Sequence, residues 1–425
     1  MADEIGYQAQ APLTTWAALL DETHETNPDL QWPKSIDVYD RMRREDAQVG
    51  SVLRAVMLPI RRTDWMVDPA GARPEVVEHV ARDLGLQVKG ETYEAPLRTR
   101  GRFSWNEHLR LALLSLVFGH SFFEQVYRVD EFGAVHLRKL AWRPPRTIAD
   151  VKVSRDGGLE SITQHGLAGD TKIVIPVDRL VAYVNEREGA NWYGLSLLRG
   201  AYKNWLLKDR IMRVQGLTTE RNGLGVPIYT AAELPSDQMT PEEAEKWNAA
   251  ERAAGLKLAK GFRAGTNAGA SIPSTAKLEL VGVTGKLPDT DGPIRYHDEQ
   301  IARSVLAHFL NLGTETGSWA LGSTFANFFT DSLNAVAQEI ADIAQQHIVE
   351  DLVDLNWGEE EPAPRIVPSP IGAEHPATAD AIKTLVDAGV VIPDERLEAF
   401  MRERHGLPVS DKETMRGHDH TEEPE

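Results

Sequence analysis

The sequence predicts an α+β fold, and three observations carry that expectation. Apolar residues recur at helical spacing in several stretches before residue 118. Between residues 118 and 190 they alternate with polar ones, with glycine at the turns, as in β-strands. Two long helical patterns follow, at about 195–220 and 324–355. Helices and strands come in blocks along the chain, and the region from about 35 to 190 reads as one α+β unit.

The elements follow in order. Residues 1–34 are polar with scattered apolar positions and read as an arm. Ser35 to Arg62 is helical, with Val38, Met42, Val49, Leu53, Val56 and Met57 near one face. "TDWMVDPAG" is a strand ending at a Pro/Gly turn, and Pro74 to Leu84 is a short helix. Ser104 to Phe118 is another helix, where Ser104 and Glu107 make a capping box. Strands fill the chain to about 190. The next helix runs from about Leu195 to Glu220 and ends at "NGLGVP". Pro241 to Lys260 is a charged helix. A Gly/Ala-rich loop holding Gly265, Asn267, Gly269 and Ser271 leads from it into a strand pair. Tyr296 to Leu312 is helical. "GTETGSWALGS" then breaks the chain, with Gly313, Thr314, Glu315, Thr316, Gly317, Ser318 and Trp319 expected as a mobile loop or as an ordinary helix–helix connection. Thr324 to Leu355 is a very long helix, and "GEEEPAPRIVPSP" is an acidic, Pro-rich linker. Thr378 to Arg404 gives two short helices before a polar tail.

Composition narrows the function. The 425 residues suggest two to four structural units, at roughly 100–200 residues each. No run approaches the ~18 uncharged apolar residues that a membrane span needs, and the acidic N-terminus has no signal-peptide core. A soluble protein made in the cytoplasm is expected. There are no cysteines, so thiolate metal sites, disulfides and Cys nucleophiles are ruled out, and any metal would need His and carboxylates. Lys and Arg total 46 against 64 Asp and Glu, a net charge of −18. Such a surface repels phosphates, so tight duplex binding by the surface at large is not expected.

Catalytic patterns are missing. Gly285-Lys286 lacks the first P-loop Gly and the following Ser/Thr, and "YGLSLLRG" is not a nucleophile elbow. His120 and Glu124 lie four apart on a strand and read as a buried or interface polar pair. His418 and His420 read as part of a solvated tail. Asp331, Glu339 and Asp342 read as a solvated or subunit-facing stripe. No catalytic, cofactor or metal site is expected.

The helix from Leu195 has two working faces. At 100° per residue, Leu197, Leu198, Ala201, Tyr202, Trp205, Ile211 and Met212 share one broad face. Arg199, Lys203, Arg210 and Arg213 fall opposite, within an arc of about 80°. Lys208 alone points to the apolar side. The basic stripe is either a solvated face, a contact with another subunit, or a face toward passing DNA. This helix and Tyr296–Leu312 bracket a Gly/Pro-rich insertion, which suggests an antiparallel stalk with a small module at its tip.

At this point the order of segments resembles a tailed-bacteriophage portal protein of the Mu-like portal family. The carrying segments are 193–229, "GTNAGASIPSTAKLEL" (265–280) and 297–358. "DWMVDP", "FGHSFFEQVY" and "VAYVNEREGANWYG" agree upstream. The resemblance spans about residues 35–405. It implies a ring of identical subunits, twelve in the usual case, at one capsid vertex. Double-stranded DNA would pass through that ring during packaging and ejection. It implies a portal fold: wing 35–192, first stem helix 193–222, clip 223–292 and second stem helix 293–312. A tunnel loop 313–323, a long wing-to-crown helix 324–358, a linker 359–370, and a short helical crown and tail 371–425 would follow. Arg199, Lys203, Arg210 and Arg213 would form a DNA-channel or inter-subunit stripe. Residues Gly313–Trp319 would face the channel. The clip, with Gly265, Asn267, Gly269 and Ser271, would dock the terminase large subunit and later head–tail connector or adaptor proteins. Major capsid and scaffold proteins would be further partners, and the virion the final location. The family carries no catalytic residues to transfer. The rival readings are a head–tail adaptor or scaffold protein, and a phage metal-dependent nuclease or hydrolase.

Overall fold

The computed structural model describes residues 25–91, 103–166, 172–224, 226–235, 238–261, 271–281, 289–305, 319–372, 386 and 398. Residues up to Ile371 make one compact unit and 372–425 a second. The expected crown helices lie almost wholly outside the described residues.

Two helices open the described chain, α1 (Lys34–Glu45) and α2 (Ala47–Arg62). They are not the one helix expected, because Asp46 is extended and its carboxylate accepts from the Gln48 and Val49 N–H groups. That N-cap starts a new helix in a new direction. Strand β1 (Trp65–Asp68) and helix α3 (Pro74–Leu84) follow, α3 having Pro at its first position and a left-handed Gly85 after its last. After β2 (Gln87–Val88), the stretch 104–118 splits into α4 (Trp105–Ala112) and α5 (Ser115–Phe118). Ser104 caps α4 by accepting from Glu107 N at 3.5 Å.

Six strands come next: β3 (His120–Val129), β4 (Val135–Arg143), β5 (Ile148–Val153), β6 (Leu159–His165), β7 (Lys172–Pro176) and β8 (Leu180–Val184). They form two antiparallel sheets, β4–β3–β8 and β5–β6–β7. Strand β3 is buried on both faces over His120–Phe123. Phe123 enters the main core, while its neighbour Phe122 faces the opposite way into the cluster beneath the second sheet.

Beyond the sheets come α6 (Tyr202–Leu224), β9 (Val226–Thr230), α7 (Pro241–Gly261), β10 (Lys277–Val281) and α8 (Asp291–Ser304). Strands β9 and β10 pair antiparallel. Gly255 of α7 lies against the Tyr229 ring of β9, so these three elements form a small module.

The longest helical segment begins earlier than expected. Helix α9 spans Trp319–Ala344, continues through a π turn, Gln345–Val349, and ends in α10 (Glu350–Trp357). Trp319 and residues 320–323 are therefore helical and not loop. The π turn sits where Gln125 of β3 donates to the His347 carbonyl, and also to Asp351 Oδ2 at 2.8 Å. A side chain inserted into the helical ladder is a standard cause of such a bulge. The expected linker is also partly structured. Arg365–Pro368 forms β11, antiparallel to β1, and buries Ile366. The main core thus joins Val56 and Ile60 of α2, Val80 and Leu84 of α3, Leu109 of α4, Tyr183 of β8, Ile340 of α9 and Ile366 of β11. Each such large side chain contributes roughly 1.5–3 kcal/mol on burial.

Candidate functional site

The chain enters α6 through a tight junction. Gly119 and Gly194 both have positive φ, 86° and 64°. A Cβ on Gly194 would lie 2.2 Å from the Gly119 carbonyl oxygen, so only glycine fits. Asn185 completes the junction by donating from Nδ2 to Leu195 O at 2.7 Å. The Ser196 hydroxyl donates to Val117 O. A short 3-10 turn, Leu197–Arg199, then precedes the helix proper.

The four basic residues of the expected stripe end up in different settings. Arg199 is not on the helix with the other three. Its guanidinium donates to both carboxylate oxygens of Glu25, at 2.6 and 2.9 Å. Burial would raise the Glu25 carboxyl, but the Arg199 and Asn27 donors outweigh it and hold it below its usual value. Arg213 is exposed and pairs along its own helix with Asp209 at 2.8 Å. Lys203 and Arg210 are exposed, and neither has an ion-pair partner among the described residues.

The packing face is right at the start of the helix and fails farther on. Leu198, Ala201, Tyr202 and Trp205 are buried, but Met212 is half exposed. Leu206, Leu207, Val214 and Leu217 are exposed as well, but they lie on or beside the arc of the basic stripe and not on the packing face.

Lys208 holds the helical pair together. It is buried, and its ammonium lies 2.8 Å from Asp46 Oδ2 and 2.6 Å from Asp298 Oδ1. Burial works against its charge, but the bonds to Asp298 and Asp46 keep its pKa above the ordinary lysine value. His297 Nδ1 lies 3.0 Å from Asn204 Oδ1, and Gly200 sits beside Ser304. Helices α6 and α8 therefore pack antiparallel, with the β9–α7–β10 module between them in sequence.

Two grooves flank the long helix. One, of about 630 Å³, is lined by Arg187, Trp192, Glu339, Asp342 and His347, among others. The other, of about 770 Å³, carries Asp342, Glu350, Asp354, Glu359 and Glu361 beside Arg365. Both are open and acidic. Of the expected carboxylate stripe, Glu339 and Asp342 share a groove and Asp331 lines neither. His120 and Glu124 do not converge. Four residues apart on a strand is about 13 Å. His120 faces the Tyr193 carbonyl, and Glu124 pairs with Arg143.

A family model described as the portal protein of Mu bacteriophage matches residues 36–407. The chain belongs to this portal family. Portal proteins of the family are structural and not enzymes. Among solved structures, the neck of an empty gene transfer agent particle computed with C6 symmetry matches with a TM-score of 0.52 at 13% identity. That match covers 88% of this chain and 94% of the other. The neck of the native particle computed with C12 symmetry matches with a TM-score of 0.51 at 11% identity, over 88% and 94%. The likeness is one of fold.

For this portal chain, several expected contacts fall outside the described residues: Gly265, Asn267, Gly269 and Gly313 through Ser318. Ser271 is described and exposed. No described helix is long and apolar enough to cross a membrane. One polar cluster was not legible as a site. His79 and Asp83 stand four apart on α3, which the sequence displays. That His136 of β4 meets them, with its Nδ1 2.8 Å from Asp83 Oδ1, is a fact of the fold.

Proposed function

We propose that this chain is the portal subunit of a tailed-phage particle. Identical subunits form a ring at one capsid vertex, and double-stranded DNA passes through it during packaging and ejection. The observation that carries the reading is the portal-family match across residues 36–407. Two features support it. The antiparallel α6–α8 pair brackets a small α/β module, as a stem brackets a clip. That pair also exposes Leu206, Leu207, Met212, Val214, Leu217 and Tyr296, an apolar surface suited to burial by neighbouring subunits.

In this reading residues 35–192 are the wing, 193–222 and 293–312 the stem, and 223–292 the clip. The clip docks the terminase large subunit and then head–tail connector proteins, while capsid and scaffold proteins meet the ring from outside. The channel segment is 313–323, of which 319–323 belong to α9. Residues from 371 on form the crown. Lys203, Arg210 and Arg213 face a neighbouring stem or passing DNA. Arg199 would belong to that set while also pairing with Glu25 of its own chain.

Negative-stain images of the purified protein test the reading. Rings with a central hole of duplex width are expected. A protein that stays monomeric at every salt and protein concentration tried would overturn it.

A further inference from the structure

We propose that His79, Asp83 and His136 form a binding site for one divalent transition-metal ion of the zinc class. The site would staple α3 to the β3–β4 hairpin. One donor atom from each residue lies within 4.8 Å of the others. Around a tetrahedral zinc, with bonds of about 2.0–2.2 Å, donor atoms stand roughly 3.3–3.6 Å apart. Here the His136 Nδ1 to Asp83 Oδ1 distance is 2.8 Å, and His79 Nε2 to Asp83 Oδ2 is 3.8 Å. These two distances run to different oxygens of Asp83, so closing three donors on one ion needs a side-chain movement of about 1 Å, with water as a fourth ligand.

The surroundings fit a metal better than a chance cluster would. His136 turns Nδ1 toward Asp83, while its Nε2 lies 3.3 Å from Asp130 Oδ2. A carboxylate on the far nitrogen fixes the ring and its tautomer and raises the basicity of the ligating nitrogen. Asp130 is itself held, accepting from the Phe132 and Ala134 N–H groups at 2.9 Å. Asp83 is oriented by Leu137 N, which donates to Oδ2 at 2.7 Å. His79 Nε2 now contacts the Val135 carbonyl at 2.9 Å. That carbonyl also accepts from Asn356 Nδ2 at 2.9 Å, so His79 can turn to a metal without leaving it unpaired. Two imidazoles and one carboxylate suit zinc, cobalt or nickel and disfavour magnesium. Each imidazole must be neutral with its ligating nitrogen unprotonated, so the remaining ring proton sits on the other nitrogen, which in His136 faces Asp130.

The test uses the full chain without a histidine tag, stripped with chelator and dialysed. Zinc chloride is the probe and magnesium chloride the control. His418→Ala/His420→Ala serves as the background, so that the tail histidines cannot supply the signal. One zinc per chain is expected by elemental analysis, with a rise in melting temperature that magnesium does not give. Both effects should vanish in His79→Gln and in Asp83→Asn. Should those variants fail to fold, X-ray absorption of the zinc complex in the tail-variant background decides. Two imidazoles and an oxygen donor at the metal support the site, and any other ligand set overturns it. Absence of stoichiometric zinc, zinc retained in a folded His79→Gln, or zinc lost in the tail background would each overturn the proposal.

Discussion

Lys208 is where charge and packing meet most directly. Removing its ammonium leaves Asp46 buried and Asp298 partly buried without their cation. Breaking a buried pair from one side costs about 3 kcal/mol. Lys208→Ala should lower the urea midpoint accordingly, whereas Lys203→Ala, on an exposed face, should leave it nearly unchanged. His108 and His120 add to the acid sensitivity of the fold. Both are fully buried, and burial pushes them down to about 3 and about 4. The unfolded value is about 6.5. Above that pH neither state takes up the proton. Below it the unfolded chain binds protons that the fold refuses, so stability falls as the pH drops from about 6.5 through 4 toward 3. Urea unfolding at pH 7 and pH 4.5 checks this. His120→Asn should lose less stability between the two than the parent chain does, and an equal loss would sink the assignment.

Elements respond to glycine according to what surrounds each one. A Cβ at Gly255 would meet the Tyr229 ring at 2.0 Å, so Gly255→Ala should push α7 away from β9. Overpacking of this kind costs about 1–3 kcal/mol, and hydrogen exchange over residues 226–281 should speed up. Gly216 lies inside α6 with nothing within 4 Å. Gly216→Ala should stabilise the unassembled chain by about 0.5–1 kcal/mol, read as a higher melting temperature. Much of this level was legible in the sequence. Pro74 and Gly85 mark both ends of α3, and Ser104 marks the start of α4. The breaks at Asp46 and at 113–114 were not, since apolar spacing runs on across them. Trp319–Ser323 read as loop because of the glycines and small residues around Trp319, yet a helix tolerates one glycine, here Gly322, at a cost of about 1 kcal/mol.

At the scale of the molecule, the proposed ring makes net charge a term in assembly. Each subunit carries −18, and a ring multiplies that repulsion. Ring yield should therefore rise as salt increases from about 0.02 to 0.15 M, because the Debye length shortens to about 8 Å. Analytical ultracentrifugation measures it. Reversing Lys203, Arg210 and Arg213 together to Glu should lower ring yield, packaging efficiency, or both. If neither changes, the stripe has no part in the particle.

The sequence by itself determined the α+β class, most helices and strands, the two faces at the start of α6 and the odd placement of Lys208. These are local properties, written in apolar spacing, caps and turn residues. Only the tertiary structure decided what those faces meet. It gave Lys208 to Asp46 and Asp298, and Arg199 to Glu25. It turned part of an apparent Pro-rich linker into a strand, because Ile366 completes the core beside β1. It brought His136 to His79 and Asp83, more than fifty positions away in the numbering of the chain. Pairings between distant residues depend on how elements pack, and apolar periodicity says which face is buried but not against what.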